Sequence, residues 1–329
     1  MCRDKLYAVA FSWMAALVLV PFAALAQSDY PSKPIRVVVP FPPGGVVDTI
    51  GRLWAQKVSP SLGTIVIDNR GGAGGVIGAG EVARSQPDGY TLLVGNTSTQ
   101  IINPAVMRRP PYNPAKDFET IDIIAISATS IIVHPSLPVQ NLKQLIAYAK
   151  AHPGELSYGS AGAGTLTHLA GEMFKQRAGG LVIVHVPYRG VGLAVTDLIS
   201  GYIPMMTPNI TGRLLALNEA GRIRILSVNA PQRLKAAPGI PTTIEILPGS
   251  KMVAQLFTGL FAPAGTPKAI ISRVSQATRK ALADPSFQEK LVQSGFVPVL
   301  DSSPAKAQRF IDGERARFMP VIKATGFKK

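Results

Sequence analysis

The chain has 329 residues, with 34 Lys and Arg against 19 Asp and Glu, a formal net charge of +15. This length suits two lobes better than one. The basic residues never run longer than two and aromatics are few, which argues against a nucleic-acid surface and for anionic small molecules or an acidic partner.

Residues 1–26 read as a secretory signal peptide. Arg3 and Lys5 start it, a short apolar stretch follows, and Ala24-Leu25-Ala26 is a small-x-small cleavage pattern. The remaining chain is therefore expected outside the cytoplasm. Its only cysteine, Cys2, lies in that segment, so neither disulfides nor thiol chemistry are expected.

The first third alternates strand and helix. Residues 35–39 predict a strand, 46–58 a helix, 64–68 a strand, 76–84 a helix and 91–94 a strand, which ends in Gly95-Asn96-Thr97-Ser98. This rhythm predicts a parallel sheet with ligands at the C-terminal strand ends. Pro104, Pro110, Pro111 and Pro114 make 103–118 irregular. A second unit follows, with strands at 121–126 and 130–133, a helix at 142–151 and a strand at 156–158 that opens into glycine-rich 159–165. Next come a helix at 166–177, a strand at 182–186 and a helix at 192–200. The tail predicts strands at 223–228 and 257–261, a Pro-rich connector at 231–248, and helices at 268–283, 286–295 and 304–323. Repetition of strand, glycine turn and helix predicts an α/β fold of two similar lobes facing across a cleft.

Several chemistries fit poorly. G-x-G-x-x-G fails at Ile77 and again at Thr167, and no P-loop is present. Ser160 lacks the first glycine of a nucleophile elbow, since Tyr158 stands there; spacing alone leaves a Ser160–His168 pair open. No metal signature occurs. What remains is anion capture by backbone N–H groups where strands end in glycines and open helices. Four loops offer donors: 41–46, 71–75, 95–98 and 159–165. Thr97, Ser98, Ser160, Thr165 and Thr167 add hydroxyls. Asp48 either holds its loop by accepting N–H bonds or faces a ligand amino group. Loop 71–75 is either a donor or a tight connector, and Arg52 and Arg70 either serve it or simply lie on the surface.

Several motifs occur in one order: Pro40-Phe41-Pro42-Pro43-Gly44-Gly45-Val46-Val47-Asp48, Asp68-Asn69-Arg70-Gly71-Gly72-Ala73-Gly74-Gly75 and Pro87-Asp88-Gly89-Tyr90. Tyr158-Gly159-Ser160-Ala161-Gly162, His185-Val186-Pro187-Tyr188-Arg189-Gly190 and Phe261-Ala262-Pro263-Ala264-Gly265-Thr266-Pro267 follow. With these the chain resembles the Bug proteins, periplasmic solute receptors of the tripartite tricarboxylate transporter family. The resemblance implies a two-lobed type II periplasmic binding fold, a Venus flytrap, each lobe a sheet flanked by helices and joined by crossover strands. Lobe 1 would comprise residues 27–128 and 250–329, and lobe 2 residues 129–249. It further implies a monomeric periplasmic protein without enzymatic activity or cofactor. Its ligand would be a di- or tricarboxylate, an acidic amino acid or an aromatic acid. Carried over by motif, the ligand-binding residues are Phe41, Pro43, Gly44, Gly45, Asp48, Gly95, Asn96 and Thr97 on one lobe. On the other they are Ser160, Ala161, Gly162, Gly164, Thr165, His168, Pro208 and Asn209. The partner would be the subunits of a membrane transporter or, alternatively, a sensor kinase that reads the closed receptor.

Overall fold

The structure is a computed structural model that describes residues 30–326. The predicted signal peptide lies outside the described residues. The first lobe starts with β1 (Ile35–Val39), α1 (Val46–Leu62), β2 (Ile65–Asn69), α2 (Val76–Ala83) and β3 (Thr91–Asn96). Two short helices, α3 (Asn103–Val106) and α4 (Pro114–Asp117), lead into β4 (Phe118–Ala128). The second lobe runs β5 (Ser130–Val133), α5 (Leu142–Ala151), β6 (Ser157–Ser160), α6 (Leu166–Arg177), β7 (Val184–Pro187) and α7 (Val191–Ile199). It continues with β8 (Met205–Met206), α8 (Gly212–Glu219), β9 (Arg224–Val228) and α9 (Thr243–Ile246). The chain then returns through β10 (Gln255–Pro263), α10 (Lys268–Leu282), α11 (Pro285–Gln293), β11 (Val297–Pro298) and α12 (Pro304–Ala324).

The strands form two sheets, ordered β11-β4-β10-β3-β1-β2 and β7-β6-β8-β5-β9. The predicted parallel pairing holds for β1 with β2 and β3. The sheet as a whole is mixed, because β10 comes back from the second lobe and inserts antiparallel between β3 and β4. In β1, Ile35, Val37, Val38 and Val39 are fully buried, as a β-branched run between two neighbours should be. Trp54 of α1 is likewise buried and donates its indole N–H to Thr278 Oγ1 of α10 at 3.0 Å, which gives its polar edge a partner inside the apolar layer.

Residues 103–118 are more ordered than their prolines suggest. Pro104 and Pro114 fall in the first turns of α3 and α4, where proline's missing N–H costs nothing, and Asn113 caps α4. Helix α1 also runs past its predicted end, through Pro60 to Leu62. Among the described residues no helix is long and apolar enough to cross a membrane.

The crossings between lobes are short. Thr129 N–H donates to Ala254 O at 2.9 Å, Asn229 N–H to Thr129 O at 2.7 Å and Ala254 N–H to Asn229 O at 2.9 Å. The Asn229 amide donates to Thr129 Oγ1 at 2.8 Å and accepts from Thr243 Oγ1 at 2.7 Å. Three chain segments are thus tied at one fully buried point, about which the lobes can turn.

One buried group in the first lobe is under-satisfied. Asp122 of β4 is fully buried, and neither carboxylate oxygen reaches a partner in good hydrogen-bond geometry. Burial pushes its pKa up to about 6, and the nearby Ser275 and Ser302 hydroxyls offset this only in part. Because the folded value lies above the unfolded one, the stabilisation is complete below pH 3.8 and lost as pH rises through about 6. Asp122→Asn should therefore raise stability at pH 7.5 by roughly 1–3 kcal/mol and have little effect near pH 4, as read by urea melts at both values.

Candidate functional site

At the C-terminal end of β1 the chain turns through residues 40–45 and enters α1. Gly45, the residue before the helix, is extended (φ −89°, ψ 174°) and offers no side-chain cap. The first backbone bond of the helix is Thr49 N–H to Gly45 O at 2.9 Å, so the N–H groups of Val46 and Val47 have no protein partner. Helix α7 starts the same way on the other lobe. Gly190, with φ 143°, gives no cap, and the N–H groups of Val191 and Gly192 are unpaired within the protein. The loop that leads into α1 meets the α7 start across the interlobe gap, where a Cβ on Gly190 would stand 2.9 Å from Pro42 Cγ, and both helix starts line one cleft. Both this approach and the φ require glycine there.

Together with β10 and the strand-end loops, these starts line one cleft between the lobes. Its apolar wall is Phe41, Pro42, Val46, Val47, Val191 and Leu256, and its polar groups are Asn96, Ser98, Thr165, Thr167, Asn209 and Thr211. Gly45, Ala161, Gly190 and Gly192 complete it, and no Asp, Glu, Lys, Arg or His belongs to the lining. The hydrogen-bond network orients both asparagines. Asn96 Oδ1 accepts from Thr99 N–H at 3.0 Å, which leaves Nδ2 as its free donor. Asn209 Nδ2 donates to Ser127 O at 3.0 Å, which leaves Oδ1 as its free acceptor. Both residues are over nine-tenths buried.

The lobes touch beside this cleft. Leu166 N–H, at the start of α6, donates to Ser98 Oγ of the first lobe at 3.0 Å. A Cβ on Gly74 would lie 3.0 Å from Ala163 O. Loop 71–75 is therefore a tight connector and an interlobe contact: Gly75 packs behind the Phe41 ring, and none of its residues lines the cleft.

Of the residues carried over by motif, Phe41, Gly45, Asn96, Ala161, Thr165 and Asn209 line the cleft. Pro43, Gly44, Asp48, Gly95, Thr97, Ser160, Gly162, Gly164, His168 and Pro208 do not. Most of these brace the wall. Asp48 is buried and accepts from Gly44 N–H, Arg52 Nε and Asn69 Nδ2, each at 2.9 Å, so its oxygens serve the loop rather than a ligand amino group. Those bonds outweigh burial and hold its carboxyl below the usual range. Thr97 Oγ1 accepts from Phe257 N–H at 3.0 Å, and Pro208 O accepts from Ser130 N–H at 2.8 Å. Gly95 pairs with Gly259 and lies against Phe261.

Loop 159–165 departs furthest from the sequence expectation, because its N–H groups are mostly spent inside the protein. Ala161 N–H goes to Thr167 Oγ1 at 2.9 Å, Gly162 N–H to Ser160 Oγ at 3.1 Å and Gly164 N–H to His168 Nδ1 at 3.4 Å. Ser160 pairs with His185 Nε2 at 2.7 Å rather than with His168, and the two imidazoles stack at 3.6 Å. Ser160 is buried behind the cleft surface, a bracing position rather than that of an exposed nucleophile.

Sequence reasoning missed Val47, Gly190, Val191, Gly192, Thr211 and Leu256. The signal for the α7 start was present, since His185-Val186-Pro187 followed by Gly190 repeats the strand–glycine–helix pattern of the first loop.

The profile of the Tripartite tricarboxylate transporter family receptor matches residues 50–327. Protein BugT of Bordetella pertussis (strain Tohama I) is 33% identical over 308 residues, which is 93% of this chain and 93% of that protein. Among solved structures, R. palustris Rpa4515 with adipate is 35% identical with a TM-score of 0.87, covering 91% of this chain and 99% of that one. MatC from Rhodopseudomonas palustris with bound malate is 27% identical with a TM-score of 0.83, covering 89% and 100%. Two sheets hinged over one cleft, together with a profile match along nearly the whole described chain, place this protein in the tripartite tricarboxylate transporter receptor family, the periplasmic solute-binding proteins that include the Bug proteins.

Proposed function

We propose that the protein binds a small carboxylate in its interlobe cleft and delivers it to a membrane transporter of the tripartite tricarboxylate type. The observation that carries this reading is the meeting of two uncapped helix starts, α1 and α7, from opposite lobes in a cleft without acidic side chains. Each start carries roughly half a positive charge and donors aimed outward. An anion seated there touches both lobes at once, so binding favours closure. The adipate and malate held by the two similar proteins support the same ligand class.

The test begins with protein stripped of ligand by unfolding and refolding. Carboxylates are then screened by thermal shift. A ligand at 100 times its dissociation constant should add about 2.7 kcal/mol, a rise of a few degrees. Shifts by neutral amides equal to those of the acids would sink the carboxylate assignment. Delivery is tested by deleting the gene, which should abolish uptake of the acid identified; undiminished uptake would refute it.

A further inference from the structure

Resting on the carboxylate reading above, we infer that this cleft selects a monocarboxylate bearing a hydrogen-bond donor, such as a hydroxy acid, over di- and tricarboxylates. The cleft compensates negative charge in one place only. The α1 and α7 starts converge where Pro42 meets Gly190, and two half-charges match a single carboxylate. The start of α6, the third that borders the cleft, keeps only Thr167 N–H for a second carboxylate, because His168 N–H is taken by Thr165 Oγ1. Leu166 N–H of α6 is taken by Ser98 Oγ, and the preceding loop spends its donors on Thr167, Ser160 and His168.

No side chain supplies the missing charge. Among the described residues, Arg52 and Arg70 pair with Asp48 and Asp68, and the exposed Arg189 is not part of the lining. His168 and His185 lie outside the lining, and burial lowers both, which disfavours their charged forms. A second carboxylate would thus be desolvated against neutral groups, which is costly.

The polar wall is instead built for a neutral group. Asn209 turns a free carbonyl oxygen to the cleft, fixed in that sense by its bond to Ser127 O. An acceptor there repels a carboxylate and is satisfied by O–H or N–H. Asn96 Nδ2 and the Thr211 hydroxyl can meet the lone pairs of the same ligand hydroxyl, whereas Thr165 and Thr167 spend their O–H groups on Gly162 O and on each other. Phe41, Val191 and Leu256 cover an apolar body between the polar groups.

The experiment uses stripped protein and two matched series by titration calorimetry: hexanoate, 6-hydroxyhexanoate and adipate, then benzoate, 4-hydroxybenzoate and terephthalate. In at least one series the hydroxy acid should bind about tenfold or more tighter than the diacid, since a site that presents an unpaired acceptor rejects groups that leave it unpaired. Asn209→Ala should bring the hydroxy acid and its parent acid to within about threefold of each other. Tightest binding by the diacid in both series would overturn the selection yet leave the carboxylate receptor standing. Failure of every acid to bind a cooperatively folded protein would remove the carboxylate reading itself.

Discussion

Gly45→Val should cut carboxylate affinity by about 100-fold or more, a loss near 2.7 kcal/mol, while thermal unfolding stays cooperative. Gly45 sits at the start of α1 with an extended backbone that valine adopts readily. Nothing lies within 4 Å of a Cβ built on it, because that position faces the cleft. The added isopropyl group would therefore stand where an anion must come to reach Val46 and Val47 N–H, and it would clash with nothing in the fold. Gly192→Val is the matching change on the other lobe, again with open space at Cβ. Gly44 and Gly162 are poorer probes. Their φ values of +85° and +130° would make any side chain strain the backbone, so lost binding could not be separated from a damaged loop. Calorimetry on Gly45→Val with the best acid of the screen decides the matter, and affinity within threefold of the parent would displace the anion site from the helix start.

Acidification should destabilise the second lobe through its stacked histidines. His168 and His185 lie face to face, 3.6 Å apart, beneath loop 159–165. Burial is the main cause that lowers His168 from 6.5 to about 3 and His185 to about 4, and Lys175 pushes both the same way. Glu172 opposes this at His185, but its carboxylate already accepts from Lys175 and from Tyr158. A folded pKa below the unfolded one means that the unfolded chain takes up protons first. Stability is therefore intact above pH 6.5 and falls as pH drops toward 4. With a discount for partial exposure, the loss is roughly 3 kcal/mol for the pair. Asp122 works in the opposite direction over nearly the same range, so the measurement belongs in an Asp122→Asn background. There, urea midpoints should fall steadily from pH 7 to pH 4.5, and His185→Gln should roughly halve the slope. A flat profile in that background would mean that the pair is protonated or solvated in the native state.

The residues show why the fold was legible and the site only in part. Strands such as Ile35–Val39 stand out as β-branched runs and helices such as Lys268–Leu282 as periodic patterns, and glycine turns mark several strand ends. Elements that left no periodic signal were the two-residue β8 and the four-residue α9 inside a Pro-rich stretch. Loop chemistry was harder still. A sequence lists donors but not who takes them. Thr167, Ser160, His168 and Ser98 occupy N–H groups around loop 159–165, which leaves the most glycine-rich loop of the second lobe few free donors. The start of α7 is announced by its strand–glycine–helix pattern, but only the structure shows that no neighbour takes the N–H groups of Val191 and Gly192. Leu256 reaches the cleft from β10, far along the chain, and no local pattern could place it there.

Pro42 against Gly190, Gly74 against Ala163 and Ser98 on the α6 start bring the lobes together around the cleft. On the receptor reading proposed above, a solute enters when these contacts part. Capture then follows the rhythm of the hinge at Thr129, Asn229 and Ala254: entry is counted in openings, and beyond some concentration more solute no longer fills the receptor faster. The same contacts govern departure. On the same reading, the time a captured solute stays depends on how often Ser98 releases Leu166, as well as on the strength of its own bonds. Residues that never touch the cargo, and strengthen or weaken that interlobe seam, can therefore tune how long the receptor carries its load.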